Sequence, residues 1–232
     1  MSDSLGDRIK EYEFVNRNYL VKKVPVIIRV DGKCFSNFTK KLEKPFDMKF
    51  MSSMLNAAKR TAEQIQGFKL AYIQSDEVSF LLTDYENIET QGWFNYNISK
   101  LTSISAAYMS VFFNSEWRFK TDFCSNEIFD SRVFNVPKED VANCFLWRMK
   151  DYNRNSIQMY ARSIFSHKQL NNKSNEDIHE MLYKEGKNWT TDLTDQEKNG
   201  TFLINTKENG IIESSTILPK YEYIEKIIKE YI

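Results

Sequence analysis

Apolar positions along the chain follow two rhythms. Val24 to Val30 (VPVIIRV) is a near-continuous run rich in β-branched residues and reads as a buried strand. From Met48 to Gln66, Phe50, Met51, Met54, Leu55, Ala58, Ala62 and Ile65 recur at helical spacing, so a helix is predicted there, with Gly67 as its stop. Leu70 to Ile73 and Val78 to Leu82 read as two further strands. Only Gln74-Ser75-Asp76-Glu77 lies between them, which predicts a hairpin. A second helix is predicted from Phe94 to Phe113, with Ile98, Leu101, Ser105, Tyr108, Met109 and Phe112 on one face. Its small residues, Ser103, Ser105, Ala106 and Ala107, allow close packing. Ser131 to Val136 reads as a fourth strand ending at Pro137.

The order β-α-β-β-α-β is the split βαβ unit of a ferredoxin-like sheet, an α+β arrangement. There the first strand and the central hairpin lie side by side in mid-sheet. Asp31, at the end of the first strand, and Asp76, in the hairpin turn, are therefore expected to be neighbours in space. The rest is predicted mostly helical: one or two helices over Glu139–Phe165, and another over Ser174–Tyr183 with Ser174 and Asp177 as a capping box and Gly186 as a stop. A hairpin over Phe202–Ile212 and a helix over Tyr221–Ile232 follow. No internal repeat, low-complexity linker or clear domain boundary interrupts the chain.

Composition narrows the chemistry. The 232 residues suit one large domain or one with an elaborate extension, and 41% hydrophobic residues supply a real core. The formal net charge is 0, so any nucleic-acid contact needs a local basic patch, not a whole-protein field. Cys34, Cys124 and Cys144 are odd in number and form no CxxC pair, which favours a reducing compartment over structural zinc. The polar start MSDSLGDRIKEYE is no signal peptide, and no apolar run approaches the ~20 residues of a membrane span. A soluble, cytoplasmic protein is expected. His167 and His179 are the two histidines, neither in a nucleophile motif, and no P-loop or GxGxxG is present. If the chain is an enzyme, carboxylates with metal ions are the expected agents.

Asp31-Gly32 and Ser75-Asp76-Glu77 are the places to look. Two carboxylates converging at a sheet edge repel unless a cation neutralises them, and magnesium takes such oxygen ligands while keeping several waters. The Gly32 carbonyl offers a further ligand. Two metals ~3.5–4 Å apart can activate a hydroxyl and stabilise a leaving pyrophosphate, the logic of nucleotidyl transfer. Asp-Gly is equally a common turn, and acidic residues are common in hairpin loops. On the residues alone the two readings stand side by side. Glu77 carries the weaker signal, because adjacent strand residues point to opposite faces. Arg29, Lys33, Lys44, Lys100, Arg148, Lys150 and Arg154 could bind phosphates, although any single one reads more readily as a solvated surface charge.

Several segments together carry a resemblance. RVDGKCFSNFT (29–39), KPFD (44–47), YIQSDEVSFLL (72–82), SKLTSISAAYMSVFF (99–113), FDSRVFNVP (129–137), WRMKDYNRNS (147–156) and GKNW (186–189) resemble the tRNA-histidine guanylyltransferase superfamily, in family order over roughly residues 5 to 205. The resemblance implies a palm-like catalytic core over 1–137, like that of DNA polymerases. A C-terminal helical extension over 138–232 would pack on it as one compact domain. It implies a two-magnesium 3′–5′ nucleotidyltransferase acting on the 5′ end, at the acceptor stem, of a tRNA. ATP or GTP activates a 5′-monophosphate. The 3′-hydroxyl of an incoming NTP then attacks, and a 5′-triphosphate needs no activation.

Carried over by motif, Asp31, the Gly32 carbonyl and Asp76 would hold the metals, with Glu77 in a supporting or metal-proximal role. Lys33, Phe35, Ser36, Asn37 and Phe38 would form the turn that holds a triphosphate through backbone N–H groups. Lys44 and Asp47 match the activation site, Ser75 precedes the metal aspartate, and Ser99 and Lys100 match a pair on the nucleotide phosphates. Arg148, Asn155 and Lys187 match positions that handle a second triphosphate or the tRNA end. Where eukaryotic members have D-x-H-I-N-N, this chain has DYNRNS (151–156), without the histidine. It looks like the Thg1-like branch, which favours templated 5′-end repair. Family members tend to form homotetramers, with tRNA crossing subunits. The rival reading is a palm-fold nucleotide cyclase or signalling nucleotide synthase, which WRMKDYNRNS and GKNW do not fit. A catalytically dead RNA-binding module is disfavoured by the retained Asp31, Asp76 and Glu77.

Overall fold

Seven strand residues with apolar side chains on both faces need cover on both sides, and β1 (Val26–Gly32) has it. Val26, Ile28 and Val30 face one layer, and Ile27 faces the other. The structure, a computed structural model, describes residues 4–122, 124–206, 210–214 and 219–231. The sheet is antiparallel and six-stranded, in the order β4-β1-β3-β2-β5-β6. Its other strands are β2 (Phe68–Gln74), β3 (Glu77–Leu82), β4 (Phe129–Asn135), β5 (Thr201–Thr206) and β6 (Gly210–Ser214).

After α1 (Ser4–Phe14) and the short α2 (Phe35–Thr39), the helices α3 (Met48–Ala62) and α4 (Ile98–Thr121) cover one face. There Met54, Phe80 and Phe113 are fully buried. The other face packs on α5 (Val141–Arg162) and α10 (Tyr221–Tyr231), through Tyr72, Phe145, Met149 and Ile224. Between them lie α6 (His167–Leu170), α7 (Asn175–Lys184), α8 (Trp189–Asp192) and α9 (Asp195–Asn199). They close a third apolar cluster around Ile157, Ile178 and Leu182. Burying each such side chain contributes about 1.5–3 kcal/mol.

The predicted βαββαβ order is present, with β1 beside the β2–β3 hairpin. The element ends moved for local reasons. α3 stops at Ala62, four residues early, and Gly67 serves a different need: at φ +77° it passes the Thr83 carbonyl, where a Cβ would sit 2.3 Å from that oxygen. α4 starts at Ile98, not Phe94, because the Asn97 side chain caps it by accepting from the Lys100 N–H. It runs on to Thr121. Ser105 is small because its hydroxyl meets that of Ser131 on β4. Ser174 and Asp177 form the expected capping box. The hairpin expected over 202–212 is β5–β6, and it extends the sheet beyond β2. Its connecting residues 207–209, and Ile232 of the last helix, lie outside the described residues. α1 and α2 were not anticipated.

Candidate active site

Strand register brings the two aspartates together. Asp31 stands opposite Glu77 on β3 and Asp130 on β4. Ser75, at φ 47°, and Asp76 turn the hairpin, and the Gly32 N–H donates to the Asp76 carbonyl at 3.1 Å, tying that turn to the end of β1. Asp31, Ser75 and Asp76 line a cavity of about 430 Å³ whose opposite wall is α5. A larger hollow, about 820 Å³, lies near the end of α4 around Arg118 and Cys124. It gathers no pair of carboxylates, so the chemistry points to the smaller one.

The aspartates sit under electrostatic stress. Burial, then the negative charge of Asp31, pushes the Asp76 carboxyl up from 3.8 to about 6. Burial, then Glu77 and Asp130, raises Asp31, with Arg132 opposing. Such a pair fits a divalent cation. Magnesium is held by one or two carboxylates together with substrate phosphates, and not by a closed protein cage. Among the described residues no group of three or more His, Cys, Asp or Glu side chains forms such a cage.

Glu77 is committed elsewhere. Its Oε1 and Oε2 accept from Arg148 Nε and Nη2, both at 2.7 Å, and Gln74 Nε2 adds a third donor at 3.0 Å. Both side chains are only 12% exposed, and Arg148 also meets Asp151 at 3.2 Å. Arg148, expected at a triphosphate, is thus mostly spent on holding Glu77. This pair neutralises one of the three carboxylates that line the cavity and leaves Asp31 and Asp76 open to a cation.

The turn after Gly32 packs its aromatics inward. Phe35 is 2% exposed and touches Phe38, Phe50, Phe113 and Phe129. Its ring covers Gly32 so closely that a Cβ there would lie 2.3 Å from it, which requires glycine. Phe35 can therefore meet a ligand only through backbone, Phe38 is half-buried, and Lys33, Ser36 and Asn37 are exposed. Lys44 Nζ donates to the Thr39 carbonyl at the end of this turn. Asp47, expected at the activation site, caps α3: Oδ1 accepts from Phe50 N–H and Oδ2 from Glu43 N–H.

Three expected positions do not converge with the others. Ser99 and Lys100 begin α4, which follows the far end of β3. Ser105, one to two turns on, meets Ser131 on β4, and neither Ser99 nor Lys100 lines the cavity of Asp31 and Asp76. They line a separate hollow with Asn16 and Arg17. Lys187 is exposed in the link from α7 to α8 and does not line the cavity, whereas Asn155 does. The flanking motif is structural. Ser156 Oγ accepts from Trp189 Nε1 and donates to the Glu197 carbonyl, joining DYNRNS to GKNW, and Asn153 donates to α9 at Lys198 and Asn199. The chain position where the histidine was missing is therefore a bracket for α9. Gln74, Tyr152, Gln158 and Arg162 line the cavity unanticipated; the seven-residue spacing of Arg148, Asn155 and Arg162 on one helix was the available signal.

Residues 6–137, from α1 through β4, match the family described as tRNAHis guanylyltransferase. The tRNA(His) guanylyltransferase of Debaryomyces hansenii is 30% identical over 225 residues, covering 88% of this chain and 81% of that protein. A protein of Acanthamoeba polyphaga mimivirus is 32% identical over 189 residues, covering 71% of this chain and 64% of that protein. Among solved structures, a bacterial tRNA(His) guanylyltransferase (Thg1)-like protein in complex with ATP superposes with a TM-score of 0.91 at 37% identity, covering 97% of this chain and 99% of that one. The match runs through the very strands that carry Asp31 and Asp76, and by it the chain belongs to the tRNAHis guanylyltransferase family.

Proposed function

We propose that this chain is a 3′–5′ nucleotidyltransferase that adds nucleotides to the 5′ end of tRNA, copying the opposing base of the acceptor stem to repair a shortened end. The observation that carries it is the convergence of Asp31, Asp76 and the β1 terminus on one cavity. Similar bacterial Thg1-like proteins have been solved in complex with ATP and with GTP, which supports nucleotide as the ligand here. Two Mg²⁺ ions, held by Asp31, Asp76 and the Gly32 carbonyl, would supply the charge that activates the 3′-hydroxyl and stabilises the leaving pyrophosphate. The chain's own residues do the positioning. Arg148 keeps Glu77 neutralised and the hairpin fixed against α5. Lys44, whose Nζ meets the Thr39 carbonyl at the end of the turn after Gly32, steadies the activating nucleotide's phosphates as a point charge. Asp47 fixes the start of α3 beneath them.

Ser99 and Lys100 line a hollow apart from their own chain's carboxylates, and we assign them to nucleotide bound by a neighbouring subunit of a homotetramer. Among the described residues no helix is long and apolar enough to cross a membrane, and free Cys34, Cys124 and Cys144 support the reading of a reducing, cytoplasmic setting. The test is incubation with labelled NTPs and a tRNA lacking its first nucleotide, with Mg²⁺ or with EDTA. Labelled tRNA extended by one nucleotide, only with Mg²⁺, is expected. Formation of a cyclic or dinucleotide product without RNA would overturn the reading.

A further inference from the structure

The cavity holding Asp31 and Asp76 continues along α5 to Arg162. Arg148, Asn155 and Arg162 are each seven residues apart, so they share one face of the helix over about 21 Å. Of the two arginines, Arg148 is bound to Glu77 and Asp151. Arg162 is exposed and, among the described residues, forms no ion pair, whereas its neighbour Arg154 is tied to Asp151. The cavity therefore has one cation not already matched by a carboxylate, at the end remote from the Arg148–Glu77 pair. A second feature also points to a ligand. Gln74 is 5% exposed, lines the same cavity, and has Oε1 without a donor among the described residues, while its Nε2 serves Glu77. A buried acceptor left open near the carboxylates, and an unmatched cation at the far end of the same cavity, suit an elongated molecule that offers a donor at one end and a phosphate at the other.

We propose that Arg162 binds the terminal phosphate of a nucleoside triphosphate seated in this cavity. The proposal rests on the nucleotidyltransferase reading above and adds to it a residue that selects a triphosphate over a diphosphate. The guanidinium offers a fork of N–H donors that matches phosphate oxygens, and a charge-assisted contact of this kind is worth about tenfold or more in affinity. Arg162 also sits in the last turn of α5, where any cation is favourable toward the helix carbonyls. That role alone would affect stability and would not distinguish one nucleotide from another.

The experiment compares wild type, Arg162→Ala, Arg162→Lys and, as a control, Arg154→Ala. Calorimetric titrations use GTP and GDP with Mg²⁺ and no RNA. Transfer kinetics use a 5′-triphosphorylated tRNA lacking its first nucleotide, so that no activating nucleotide is needed. We expect Arg162→Ala to raise the KM for NTP about tenfold and to remove most of the preference for GTP over GDP. The KM for RNA and kcat should stay within about twofold, with partial recovery in Arg162→Lys and no change in Arg154→Ala. Unchanged NTP behaviour in Arg162→Ala, with wild type active, would overturn the proposal and leave the nucleotidyltransferase reading intact. A rise confined to the KM for RNA would also overturn it, and would place an RNA backbone phosphate at Arg162. If wild type transfers nothing, the underlying reading fails, and the GTP-to-GDP ratio still decides whether Arg162 senses a terminal phosphate.

Discussion

Replacing Asp76 with asparagine should stabilise the metal-free protein while abolishing its activity. Folding raises the Asp76 carboxyl from 3.8 to about 6, through burial first and Asp31 second. The folded state therefore holds that proton more tightly than the unfolded chain. Stability is fully present below 3.8 and is lost as pH climbs through about 6, since the folded protein must then carry a disfavoured charge. At about 1.4 kcal/mol per pH unit the loss is at most about 3 kcal/mol. Asp76 is partly open to solvent, which screens it and brings the expected loss to about 1–2 kcal/mol. Asparagine keeps the carbonyl acceptor and never ionises. In EDTA, Asp76→Asn should raise Tm at pH 7.5 by about 2–8 °C, at 2–4 °C per kcal/mol for a chain of this size. At pH 4.5, where less of the wild-type carboxyl is charged, the gain should be about a third as large. Thermal unfolding followed by circular dichroism at both pH values is the assay. Adding Mg²⁺ at pH 7.5 should stabilise wild type and leave the variant almost unmoved. A loss of stability at pH 7.5, or equal gains at both pH values, would refute the argument from a buried, repelling pair.

Asp31→Ala should abolish transfer in a protein that still folds; near-normal turnover with Mg²⁺ would sink the two-metal assignment. Lys44→Ala should slow reaction on 5′-monophosphorylated RNA at least about tenfold more than on 5′-triphosphorylated RNA, and equal losses would deny it an activation-specific role. Arg148→Met leaves Glu77 buried and unpaired and should cost about 3–5 kcal/mol in urea unfolding, much of it recovered in the Glu77→Gln/Arg148→Met double variant; simple additivity would show the pair to be unimportant. Sequencing the 5′ ends of repaired tRNAs, with templating base and anticodon varied independently, should show G opposite C, C opposite G and A opposite U. Guanylate addition that ignores the opposing base but needs the histidine anticodon would contradict templated repair.

Local pattern was enough to read the βαββαβ order and to bring Asp31 beside Asp76. A run such as Val26–Val30 can be buried only mid-sheet, and strand order then fixes which ends meet. RVDG and QSDE carried that reading without help from the rest of the chain. What each polar residue does once placed was decided only by long-range packing. Glu77 is neutralised at the cavity wall because α5, seventy residues on, delivers Arg148 across the sheet. Ser99 and Lys100 fall in a separate hollow with Asn16 and Arg17 because Asn97, just before α4, pairs with Tyr19 ahead of β1. The β5–β6 hairpin joins β2 because that strand's free edge needs partners for its N–H and C=O groups. Periodicity tells a residue which way to face; only the assembled sheet and its helices decide what it finds there, and the cavity along α5 exists only in that assembly.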